Sequence, residues 1–179
     1  MTDFQIDIIN PHWIDGDPEN DTDECSHGQF ILTIAGKEIL TKDDDIRDWT
    51  TNTSALLLLR TLESDFSGEG GYGILLHCGM LQMISCPISV DWIWTHEAGK
   101  VIITKISKRL SARHEGPVEF QGLTGIVHID HYKNEILKVA RQVKDFYARS
   151  RPRKLSGPYL KINEEFWQQF DSLLLKHSG

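Results

Sequence analysis

The chain has too few cysteines for a disulfide scaffold: three among 179 residues, odd in number and widely spaced. No apolar run approaches the ~18 residues of a membrane-spanning helix, and the longest candidate is Ala55-Leu56-Leu57-Leu58-Leu59. The opening segment, Met1 to Asp7, has neither a basic nor an apolar signal-like region, so secretion is not expected and a reducing cytoplasm is. Gly-x-Ser-x-Gly, Walker and His-Glu-x-x-His motifs are all missing, which removes the commonest sequence signs of hydrolases, nucleotide-binding enzymes and zinc proteases. What is present is ordinary for a folded domain. Hydrophobic residues make up 40% and charged residues 25%, enough to bury a core.

Charge is unevenly spread. Residues 1–72 hold 4 basic and 16 acidic residues, a balance of −12, while the remainder holds 15 and 10, a balance of +5. Two solvated faces of one domain that attract each other would produce this pattern, and so would an acidic face that steers a cationic partner. The acidic candidates are Asp15, Asp17, Glu19, Asp21 and Asp23, followed by Asp43, Asp44 and Asp45. Arg149, Arg151, Arg153 and Lys154 form the one compact basic run, without interleaved aromatics of the kind that stack nucleic-acid bases.

The periodicity predicts strands first and helices after. Phe4, Ile6 and Ile8 alternate with polar residues up to Asn10-Pro11, and a polar loop covers 14 to 27. Phe30–Ile34 and Glu38–Leu40 flank Ala35-Gly36-Lys37 as a hairpin. Thr53 is the expected N-cap of a helix carrying Ala55, Leu56, Leu59, Leu62 and Phe66, broad enough in its apolar stripe to lie at the centre of the core. Short strands are expected at Ile74–His77 and Leu81–Ser85, and a long hairpin at Val90–His96 and Val101–Ser107 with Trp92 and Trp94 on one face. An amphipathic helix over Asp130–Ser150 stops at Pro152, and a last helix starts at Asn163. The whole reads as one α+β domain over residues 1–179, antiparallel strands and hairpins packed on a central helix and two C-terminal helices.

Several residue sets carry possible chemistry. Gly68-x-Gly70-x-x-Gly73 has the spacing of a dinucleotide loop, but a helix precedes it and a strand follows, the reverse of the order that loop needs. Asp15 to Asp23 resembles the start of a calcium loop, yet Ser26 stands where the bidentate carboxylate belongs and Pro18 interrupts. Cys25, His27, Cys78 and Cys86, with His77 and His96 in reserve, offer thiolate and imidazole donors for zinc. They lack a Cys-x2-Cys pair, so the fold would have to assemble the site, and separate buried thiols account for the same residues. His128-x-x-His131 with Glu135 puts His131 and Glu135 one helical turn apart, a spacing that suits a metal or a helix start with a solvent-facing Glu.

Asp23-x-Cys25-x-His27-Gly28, Leu58-Leu59-Arg60-Thr61-Leu62, His77-Cys78-Gly79 and Cys86 followed by Val90-Asp91-Trp92 form a recognisable series. With Phe146-Tyr147-x-x-Ser150-x-Pro152-Arg153 and Phe166-Trp167, it resembles a small uncharacterised family of bacterial cytosolic proteins over residues 23 to about 170. That family's pattern has a second Cys at His77 and a Lys at Arg153, and the first departure weakens a thiolate cluster here. The resemblance implies a bacterial setting and one continuous domain, and no activity. In size and acidity the chain is also similar in general character to immunity proteins of bacterial toxin systems.

The expected function is a non-enzymatic interaction module that takes a basic protein partner on the acidic N-terminal residues, in an immunity-type arrangement. The alternatives are a zinc-stabilised module or metal-assisted enzyme built on Cys25, His27, Cys78 and Cys86, and an RNA or phosphate contact through Arg149 to Lys154. Neither a membrane nor a nucleic-acid partner is otherwise expected, and zinc is the one cofactor considered.

Overall fold

In the computed structural model, residues 3–44, 46–66, 73–77, 87–111 and 116–179 are described. Phe4, Ile6 and Ile8 turn inward along β1 (Phe4–His12), which pairs antiparallel with β2 (His27–Ile34) in the register Ile6↔Leu32 and Ile8↔Phe30. Asn10-Pro11 does not end this strand. Asn10 takes a positive φ of 53°, the register slips there, and pairing resumes at His12↔His27. β2 turns through Ala35 and Gly36, both at positive φ, into β3 (Lys37–Leu40), and also pairs with the short β4 (Trp49–Thr50).

Helix α1 (Thr51–Arg60) follows β4 directly, capped at Thr50 and so three residues before the expected Thr53 cap, because Thr51 N–H bonds the Ser26 carbonyl at 2.8 Å and couples the helix to β2. It also stops early. Thr61 donates its hydroxyl to the Leu58 carbonyl at 2.7 Å, a tight turn follows, and Phe66 crosses to bridge Trp94. The helix is central as expected, with Ala55, Leu56, Leu58 and Leu59 all buried.

The second sheet runs β5 (Leu75–Leu76), β6 (Ser89–Glu97), β7 (Lys100–Arg109) and β8 (Val118–Glu119), with β9 (Gly125–His128) also on β7. The β6–β7 hairpin turns at Ala98-Gly99 and carries a bulge opposite Asp91–Ile93, where Lys105 adopts φ 48°. Trp92 is buried, while Trp94 is half-buried, stacks on Phe66 and donates its indole N–H to the Ser64 carbonyl. The expected strand at Leu81–Ser85 lies outside the described residues, as do Gly68 and Gly70.

α2 (Ile129–Arg149) presents Tyr132, Ile136, Val139 and Val143 to the core. α3 (Pro158–Ser178) begins five residues before the expected Asn163 cap, since Gly157 at φ 59° turns the chain and Pro158 is preorganised for the first helical position. A single apolar cluster joins both sheets and all three helices, including Phe4, Leu32, Leu59, Trp92, Ile103, Tyr132 and Phe170. The result is α+β with two antiparallel sheets.

His131 and Glu135 tie α2 to the edge of β1. His131 Nε2 donates to the Phe4 carbonyl at 2.7 Å, and Glu135 accepts the Ile6 N–H at 3.0 Å. Glu135 is therefore not solvent-facing, and His128 caps the helix by accepting the Asp130 N–H.

Candidate functional site

The first acidic segment leaves the His12 end of β1 beside the start of β2, and the second runs from Leu40, opposite Leu32, back to β4 at that same start of β2. Residues 13–26 connect β1 to β2, residues 41–48 connect β3 to β4, and both β1 and β4 flank the start of β2. His12 bridges them, with its Nε2 2.9 Å from Asp48 Oδ1. Gln29 adds a second link, accepting from Asn10 and donating to the Lys42 carbonyl.

The first loop is shaped by its own carboxylates. Asp15 accepts the Asp17 N–H at 2.9 Å and the Asn20 amide at 2.8 Å, which hold its carboxyl below the ordinary range in that order of importance. Asp17 accepts the Glu19 N–H, and Asp23 accepts from the Ile14 and Cys25 backbone. Residues 14–19 are exposed, but Cys25, Ser26 and His27 are buried, so the exposed loop is shorter than the expected 14–27. In the second loop, Asp44 accepts the Thr41 N–H and pairs with Lys108 at 2.9 Å. Asp43 is exposed, and Asp45 lies outside the described residues.

The basic run folds back onto this rim. Arg151 pairs with Glu19, and Lys154 pairs with Asp21 through its side chain at 2.6 Å and its backbone N–H at 2.6 Å. Arg153 lies 3.8 Å above the ring of Trp13. Asp15, Asp17 and Asp43 are left without an ion pair among the described residues.

Trp13 is the functional candidate that periodicity misses. It sits in a polar loop yet is only 2% exposed, packed on Phe146 and Tyr147 at ring separations of 4.9 and 5.3 Å. Tyr147 accepts the Ser26 N–H and donates to the Glu24 carbonyl, and burial raises its phenol well above the ordinary value. A lone tryptophan in an acidic stretch is the signal available in the sequence; its partners lie more than 120 positions away. Beside it are two adjoining cavities of about 200 and 510 Å³, sharing Pro11, Phe146 and Arg149 in their linings.

The Cys/His set is only partly brought together. Cys25 and His27 are buried at the start of β2, and Cys78 and Cys86 lie outside the described residues. Burial first, then Asp23 and Glu24, push the Cys25 thiol up to about 12, against the opposing pull of Asn52 and Thr53. Burial likewise lowers His27 below its ordinary 6.5, with Asp23 opposing. His27 Nδ1 has no hydrogen-bond partner among the described residues and stands 3.9 Å from Asp23. His96 belongs elsewhere, bonded to Asp65 at 2.7 Å. Among the described residues, no group of three or more His, Cys, Asp or Glu side chains is arranged to hold a metal ion.

No family model, curated protein or solved structure matches the chain. Function therefore rests on the geometry. Three hydrogen-bonded histidine–carboxylate pairs lie among the described residues: His12–Asp48, His96–Asp65 and His177–Glu63. The other nitrogen of His12 faces the Asn10 carbonyl, and that of His96 is buried without a hydrogen-bond partner among the described residues, so neither of these two imidazoles is set against a described hydroxyl or thiol. The rim, in contrast, gathers carboxylates, a cation-binding aromatic face and an adjacent apolar cavity. That combination suits recognition of a basic polypeptide.

Proposed function

We propose that the chain is a protein-interaction module whose acidic rim takes a basic protein partner, with an immunity-type inhibitor of a cationic toxin as its concrete form. The observation that carries this reading is that both acidic loops border the start of β2, where His12–Asp48 joins them, with Asp15, Asp17 and Asp43 exposed and not ion-paired among the described residues. Such a rim accelerates encounter with a cationic surface and disfavours acidic ones. Nucleic acid is the poorer fit, because the one compact basic run, Arg149 to Lys154, has no interleaved aromatics for base stacking and lies against the acidic loop.

The test is crosslinking in native cells with the intact chain and with a variant carrying Asp15→Asn, Asp17→Asn and Asp43→Asn. A basic protein crosslinked by the intact chain, lost with the variant and bound again when both are purified, is the expected result. Crosslinking indifferent to the three substitutions overturns it.

A second reading, a zinc-stabilised module through Cys25 and His27 with Cys78 and Cys86, draws on one observation: His27 Nδ1 is buried without a hydrogen-bond partner among the described residues. A metal-free mass under native conditions, with thermal stability indifferent to chelator, rejects it.

A further inference from the structure

We propose that residues 151–154 are an intramolecular stand-in for the partner, and that the partner docks by displacing them with an arginine-containing segment of its own. The inference rests on the reading of the acidic rim as a docking surface and adds its regulation: the rim is occupied in cis.

Three features of the strap make it a displaceable ligand. It holds the rim by the contacts a basic peptide would use, namely Arg151 on Glu19, Lys154 on Asp21 and Arg153 on the face of Trp13. Those contacts are weakly held. The Arg151 and Glu19 side chains are 57% and 59% exposed and that of Lys154 is 76% exposed, and ion pairs so exposed contribute little. The fit of Arg153 is also incomplete. Its Nε and Nη2 donate to the Arg151 carbonyl of the strap itself, and Nη1 is buried without an acceptor among the described residues. An incoming arginine that placed all its donors on rim carboxylates would replace this with a fully paired guanidinium.

The surroundings permit exchange. Residues 151–156 have no regular secondary structure between the end of α2 and Gly157, so the strap can detach while both helices stay in place. The larger cavity, about 510 Å³, opens beside Trp13 between Pro11, Pro18 and Phe146. It offers apolar walls to residues flanking the incoming arginine.

The probe is a fluorescent peptide with the sequence of residues 149–155, titrated at low ionic strength into three full-length proteins. These are the wild type, a strap-neutralised variant (Arg151→Ser, Arg153→Ser, Lys154→Ser), and the same variant with Glu19→Gln and Asp21→Asn. Removing a cis occupant raises apparent affinity in proportion to the open fraction, so the strap-neutralised chain is expected to bind roughly tenfold or more tightly than wild type. The added rim substitutions are expected to abolish that binding. Equal affinity for wild type and the strap-neutralised chain, or no binding to the latter, overturns the proposal.

A second measurement on the wild type covers a variant that fails to fold. Saturating peptide should shift the Lys154 amide resonance, whose N–H bonds the Asp21 carbonyl, toward that of an unstructured chain, and an unmoved resonance contradicts displacement. Native crosslinking that still depends on Asp15, Asp17 and Asp43, alongside a peptide that does not bind, removes the strap mechanism alone. Loss of both removes the docking surface as well.

Discussion

Asp91 sits one residue before buried Trp92 on β6, with Oδ2 accepting from the Ser89 hydroxyl at 2.8 Å and Oδ1 buried without a partner. Burial raises its carboxyl above the ordinary 3.8, against the opposing Ser89 bond. A raised acid favours the folded state fully at pH below the unfolded value and loses that contribution as pH rises through the folded value. Asp91→Asn removes the titration and keeps an acceptor for Ser89. It should be more stable than wild type at neutral pH, with the gap closing below about pH 4. Urea midpoints across pH measure this, and a gap that widens in acid would contradict it. Leu59, by comparison, is wholly buried in the central helix, and Leu59→Ala is expected to cost about 2–5 kcal/mol. An unchanged denaturation midpoint would place the helix face wrongly.

Among the elements, α2 is held to β1 by polar contacts as well as by its apolar stripe. Glu135 accepts the Ile6 N–H and also pairs with Lys138, which reaches Asp7 at 3.0 Å. Glu135→Ala leaves a strand N–H unsatisfied and should destabilise by about 1–3 kcal/mol, read from chemical denaturation. A loss within error would mean that water replaces the carboxylate. This clip also marks how far local pattern reaches. The apolar spacing of Tyr132, Ile136, Val139 and Val143 made α2 legible, and alternation did the same for β1 and the β6–β7 hairpin. What local pattern did not convey was set by distant partners. Thr51 begins α1 because Ser26 receives its N–H, and Phe66 leaves the helical path to bridge Trp94. At α3, two capping signals competed, and Gly157-Pro158 prevailed over Asn163.

Over the whole molecule, the charge asymmetry has a structural explanation in part. An acidic N-terminal region and a basic C-terminal one meet through Arg151–Glu19, Lys154–Asp21 and Lys108–Asp44. Mutual attraction therefore accounts for the paired carboxylates, and the proposed partner surface would use Asp15, Asp17 and Asp43. The acidic residues were legible as candidates; Trp13 and its seat against Phe146 and Arg153 were not, because their association depends on the return of α2. The most direct test of the docking surface is a nuclear magnetic resonance titration of the isotope-labelled wild-type chain with an arginine-rich peptide at low and high salt. Shifts confined to residues 14–24, 41–48 and 151–154, fading as salt rises, are the predicted result. Shifts scattered over both sheets, centred elsewhere, or indifferent to salt would contradict it.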